Sequence, residues 1–166
     1  MTTEQLAGEF DRETKTTRTF LERLPPDQLD WRPHPKSFTA RGLGSHVIDC
    51  IRWVEPIFAG DELDFDPATY RPFQAASLDD VLTGFDHIVV AASAALARTD
   101  SAALVAPWRL KIRGDDSNCL ESQAGTSALC CHVVLVRIMA LRIVRSVRMP
   151  AMRATFFGLP AARRRR

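Results

Sequence analysis

Apolar side chains recur at Leu6, Phe10, Phe20, Leu21 and Leu24 close to one helical face, behind a threonine cap and with Glu4 in the first turn; this spacing predicts an α-helix over residues 2–24. Glu13, Thr14 and Thr17 interrupt the stripe. On a helical wheel Glu13 and Thr17 point the same way as Leu6, so that face either lines a polar cavity or forms a partly exposed helix edge, the second being the commoner arrangement.

Pro25-Pro26 ends this helix, and WRPHPKS, residues 31–37, is too rich in proline to be anything but a loop, with His34 a turn or surface residue. A second helix is expected to start between Thr39 and Leu43 and to run to Phe58. Its apolar face collects Leu43, Val47, Cys50, Ile51, Val54, Ile57 and Phe58, with Asp49, Arg52 and Glu55 opposite and His46 near the edge of the inner face, one turn before Cys50. Residues 61–73, with two prolines and four acids, read as a surface connection. Ser77 then caps a third helix with Asp80 in the capping-box position. Leu78, Val81, Leu82, Phe85, Val89, Ala92 and Leu96 form its stripe, and His87 lies on the opposite side. Trp108, Leu110 and Ile112 alternate with Arg109, Lys111 and Arg113, which predicts a short extended segment ending at Gly114-Asp115.

Residues 128–148 predict an irregular last helix. With His132 at the centre of a face, Leu135, Val136, Met139 and Ile143 sit beside it and Arg137, Arg145 and Arg148 lie on the far side, but Val134, Ile138 and Leu141 fall among the arginines; Pro150 ends the pattern. There is no internal repeat. Together the helices predict an all-α bundle.

Composition sharpens this picture at one place. A chain of 166 residues with 46% hydrophobic content is long enough for one domain with a core. A signal-peptide pattern is not visible, and the longest apolar stretch, 128–147, is broken by Arg137, Arg142 and Arg145, so a soluble cytoplasmic protein is expected. Cys50, Cys119, Cys130 and Cys131 show no framework spacing and are expected as reduced thiols. The net charge of +2 conceals an asymmetry. Residues 1–121 hold all 20 acids against 13 Lys and Arg, whereas residues 122–166 hold nine Arg and no acid, a run expected by chance at roughly the 0.3% level.

The stretch FLERLPPDQLDWRPHPKSFTARGLGSHVIDCIRW, residues 20–53, resembles the DinB (damage-inducible) family of bacterial four-helix bundles: a leucine-proline helix end, a Trp-x-Pro-His-x-Lys-Ser loop and a Leu-x-x-His helix start. The resemblance covers roughly residues 1–115. It implies an up-down four-helix bundle, expected here over residues 1–149; the arginine-rich end departs from the family pattern, and residues 150–166 are expected as a basic, disordered tail. It also implies a three-histidine site, often holding Zn or Ni, with one ligand from the start of the second helix and two from a His-x-x-x-His-Arg arrangement in the last. Residues four apart stack on one helix face, so two imidazoles at that spacing can share an ion. A third ligand from a facing helix leaves room for water or substrate, and the ion can acidify that water or activate a thiol.

Carried onto this chain, His46 matches the first ligand, His132 the first of the last-helix pair and Arg137 the arginine after it; the remaining position is Val136, which cannot coordinate metal. Glu13 or Cys50 are possible supplementary ligands. Adjacent Cys130 and Cys131 point in different helical directions, a poor geometry for a cluster with His132.

The altered tail admits two readings. Either this member diverged and lost the site while keeping the bundle, or the reading frame shifts between Gly114 and Gly125 and the last 40 or so residues translate a GC-rich gene out of frame. A poor last helix leaves apolar faces of the second and third helices uncovered, which predicts low stability or a homodimer. For Arg163–Arg166, a solvated, disordered end is favoured over nucleic-acid or lipid binding. The functions in view are therefore a metal-dependent hydrolase or thiol-dependent transferase acting on a small molecule, or a non-catalytic, stress-related, dimeric protein with a degenerate site.

Overall fold

The computed structural model describes the backbone of residues 2–123 and side chains as far as residue 114. The expected last helix with His132, Val136 and Arg137, the Cys130-Cys131 pair and the 150–166 tail lie outside the described residues.

Helix α1 spans Thr3–Leu21. The Thr2 hydroxyl accepts from Gln5 N–H at 3.3 Å and Gln5 Oε1 accepts from Thr2 N–H at 2.8 Å, a reciprocal capping box that satisfies two donors the first turn leaves over. The helix stops three residues before the expected end, and Leu24 enters the core from the chain beyond it. Thr14 and Thr17, which interrupt the apolar stripe, are buried. The Thr14 hydroxyl donates to the Phe10 carbonyl of its own helix at 2.8 Å, so its burial requires no polar cavity.

Helix α2, Ala40–Arg52, and helix α3, Val54–Ala59, replace the single helix expected as far as Phe58. The cause is Pro56, which has no N–H for the Arg52 carbonyl four residues back and whose ring crowds it. Trp53 becomes the joint. Helix α4, Leu78–Arg98, begins at the anticipated Ser77–Asp80 capping box and packs against α1, α2 and α3. Its Val81, Phe85, Ala92 and Leu96 meet Leu6, Phe10 and Leu21 of α1 and Val47, Ile48 and Ile51 of α2 in the main core. Close approach needs glycine at Gly44, where a Cβ would lie 3.0 Å from Val81. By length and composition α4 could cross a membrane, whereas the sequence expectation places the longest apolar stretch at 128–147. Here its apolar stripe faces the core. The exposed Arg18–Asp86 pair, 2.7 Å, adds a polar link between α1 and α4.

The mainly helical structure fits the all-α expectation, and beside the helices lies a small three-stranded sheet: β1 (Glu62–Phe65), β2 (Pro107–Ile112) and β3 (Asp115–Gln123), in that order. The segment at 108–113 is therefore a central strand, parallel to β1 and antiparallel to β3, and part of the expected surface connection at 61–73 is β1. Arg113 and Gly114 make the two-residue hairpin turn, both at positive φ, 55° and 69°. Asp64 Oδ1 accepts from Gly114 N–H at 2.8 Å and so ties β1 to that turn. Trp108 and Ile57 are buried together, with Trp53, Leu63 and Leu110 packed around them, and this cluster fastens the sheet to α3. The described part of the protein is thus predominantly helical, with α4 at its centre.

Candidate functional site

The loop over 31–37 is held onto the start of α2 by the backbone. Ala40 N–H donates to the Trp31 carbonyl and Arg41 N–H to the Leu29 carbonyl, both at 2.9 Å, while the Thr39 hydroxyl accepts from Gly42 N–H at 3.0 Å. These bonds satisfy the amides a helix start leaves over. His34 is the turn residue expected of it: its Nδ1 accepts from Lys36 N–H at 3.1 Å and its carbonyl from Ser37 N–H at 2.9 Å. Arg41 bonds Asp30 and the Ala76 carbonyl, joining the loop to the approach of α4.

On this anchored start His46 is half-buried. Its ring stacks on Phe38, with centroids 5.3 Å apart and planes 17° from parallel, and its Nε2 lies 3.9 Å from the Sγ of buried Cys50, one turn on. Phe38 is 58% exposed, so this aromatic contact covers the outer side of the imidazole. The sequence reading placed His46 and Cys50 together but passed over Phe38; the available signal was an aromatic residue just before the Thr39 cap.

A second polar pair on the same helix, Ser45 and Asp49, does different work. Asp49, expected on the outer face, is buried at 5% exposure, and both its oxygens accept from Phe73 N–H, at 3.0 and 3.1 Å. Ser45 Oγ accepts from Ala75 N–H at 3.1 Å. Residues 45 and 49 lie four apart, and together they pin the segment that leads into α4. Burial, followed by the charge of Asp49 and a hydrogen bond to it, pushes the Tyr70 hydroxyl above its ordinary pKa. Arg52 completes the surroundings of Asp49 at 3.3 Å.

His87 is exposed, as expected, and Glu13 is half-buried on α1. Among the described residues no group of three or more His, Cys, Asp or Glu comes together as a metal site. The donors that do meet are His46 and Cys50, an imidazole and a thiol, which suit Zn or Ni better than the hard, oxygen-seeking cations.

The model of the DinB superfamily matches residues 9–125. The chain belongs to the DinB superfamily. No curated protein and no solved structure matches it. The DinB match includes the loop, His46, Cys50, all the helices from α2 onward and the sheet, and it ends four residues after Glu121, where the acids of the chain also end.

Proposed function

We propose that this DinB protein is a divalent-metal protein that acts on a small molecule, with His46 and His132 as ligands. The observation that carries this reading is the posture of His46: a half-buried imidazole on a tied-down helix start, stacked on Phe38, with Nε2 turned toward a sulfur 3.9 Å away. Holding a ring before an ion arrives lowers the ordering cost of binding it. A Zn or Ni ion at this position supplies Lewis-acid chemistry, which suits a hydrolase that activates water or a transferase that activates a low-molecular-weight thiol. The chain's own residues do the positioning. Phe38 covers one face of the ring, and the amides of residues 40–42 fix the loop that carries Phe38 to the α2 start that carries His46. A soluble, cytoplasmic setting with reduced thiols is part of this proposal.

Metal analysis of the purified chain tests it. Stoichiometric Zn or Ni that is lost in His46→Ala supports the site; no bound metal at micromolar supply overturns it. One observation favours a second reading, a non-catalytic, stress-related, dimeric member: Val136 stands where the DinB resemblance implies the third histidine. Metal-free protein that sediments as a dimer supports that reading.

A further inference from the structure

Residues 71–76 lead from the turn over 67–69 to the cap of α4 and belong to no helix or strand. Among the described residues none of their amides or carbonyls bonds another backbone group, so side chains must supply the partners that buried backbone needs. Those that hold the middle of the segment come from one face of α2, in order. Arg41 donates to the Ala76 carbonyl at 3.1 Å, Ser45 accepts from Ala75 N–H at 3.1 Å, Asp49 accepts from Phe73 N–H at 3.0 Å, and Arg52 donates to the Arg71 carbonyl at 3.4 Å. Positions 41, 45, 49 and 52 share a helix face while their partners descend from 76 to 71, so the segment runs antiparallel to α2. Eleven helical steps and five extended steps both span ~16 Å, which keeps these clips in register.

We infer that residues 71–76 form a strap that opens as a single unit, between anchored ends and with the helices still folded, lifting the Phe73 ring out of the seam between α2 and α4. The inference is independent of the metal-protein reading and stands if that reading fails.

Three observations define the strap. Its two ends have anchors that do not involve α2: before it the Asp66 carbonyl accepts from Tyr70 N–H at 3.0 Å, and after it Asp80 Oδ2 accepts from Ala76 and Ser77 N–H at 3.0 and 3.1 Å. Its outer side is already in water, with Arg71, Pro72, Gln74 and Ala76 exposed, so release uncovers little more than Phe73 and Ala75. The one large inward side chain is Phe73, whose ring fills a notch in α4: a Cβ at Gly84 would lie 2.8 Å from Phe73 Cζ and 3.3 Å from Ile48 Cδ1. Pro72 fixes its own φ and restricts Arg71 before it, which stiffens the segment. Clips along a stiff segment share its motion, so losing one lowers the cost of losing the rest.

Native-state hydrogen exchange of the full chain at low urea tests this. The Phe73 and Ala75 amides should show one common opening constant, at least about tenfold larger than that of the Phe85 and Ala92 amides of α4, and a shallower urea dependence because little surface is exposed. Ser45→Ala removes only the acceptor of Ala75, yet it should speed both amides alike, by about fivefold. Gly84→Ala touches no hydrogen bond of the strap and favours the helix, yet by crowding the Phe73 ring it should also speed both. Three results overturn the inference. Strap amides that exchange only with α4, at the same steep urea dependence, show that nothing opens locally. Ser45→Ala that speeds Ala75 and leaves Phe73 unchanged shows independent bonds and no unit. Gly84→Ala that leaves both amides unchanged shows that the ring does not hold the strap in the seam.

Discussion

Helix α2 carries two polar pairs at the same four-residue spacing, and their surroundings divide their roles. Ser45 and Asp49 face the chain's own backbone: each accepts an amide of the 73–75 segment, so their polarity is used in holding α4's approach in place. His46 and Cys50, one residue further along, face each other, and His46 stacks on an exposed aromatic ring. Spacing alone therefore does not distinguish a structural clip from a candidate ligand pair. The decisive difference is whether the partner is an obligatory backbone donor or a side chain that an ion can replace.

The largest expected separation of the two pairs is in metal binding. On the proposed metal reading, His46→Ala abolishes it and leaves thermal stability within about 1 kcal/mol, since a half-buried side chain loses little packing; metal analysis and thermal melts on one preparation check both. Asp49→Ala does the reverse. It strands the part-buried Phe73 amide and lowers stability by about 1–2 kcal/mol in urea unfolding, with any metal stoichiometry unchanged; loss of metal instead would merge the two pairs into one site. Ser45→Ala acts in the same direction by about 1 kcal/mol, because Ala75 N–H loses its acceptor. The smallest effect concerns alkaline pH. The folded state holds the Tyr70 proton more tightly than the unfolded chain, so the stability this contributes is complete below the ordinary tyrosine value of 10.0 and is lost as pH rises through the raised one. Tyr70→Phe should flatten that part of the stability profile, and an unchanged slope would show that burial and Asp49 do not hold the Tyr70 proton in the folded state.

How much of this was legible along the chain follows from the range of the forces involved. The caps at Thr2 and Ser77 and the stripe through Val81, Phe85, Ala92 and Leu96 are local patterns, and they appear where they were read. The loop and His46 were legible through the DinB resemblance, which the family match bears out over residues 9–125. Pro56 was overlooked inside a periodic run, where one missing N–H outweighs good spacing. Strand β1 is only four residues, and β3, reading DDSNCLESQ, has little β-forming character; both exist because β2 offers them hydrogen-bonding edges, which is non-local information. Asp49 was assigned outward because it is charged, while its acceptor role depends on a segment 24 residues away. The frame question is sharper than before: acids and family match end within four residues of each other, at 121 and 125. Sequencing the locus decides it. An uninterrupted frame keeps His132 as the proposed ligand, and an offset between Gly114 and Gly125 removes it.

The parallel pairing of β1 with β2 has a kinetic consequence. Glu62 and Arg109 lie opposite each other although 47 residues separate them along the chain, and the whole of α4 is threaded between. Closing so long a loop is entropically costly until α4 has docked on α1 and α2, whereas the β2–β3 hairpin needs only its two-residue turn. The order of assembly is then helices and hairpin first, with β1 joining last. In hydrogen exchange the Arg109 amide, which donates to the Asp61 carbonyl at 2.9 Å, should gain protection later during refolding than the amides in the middle of α4.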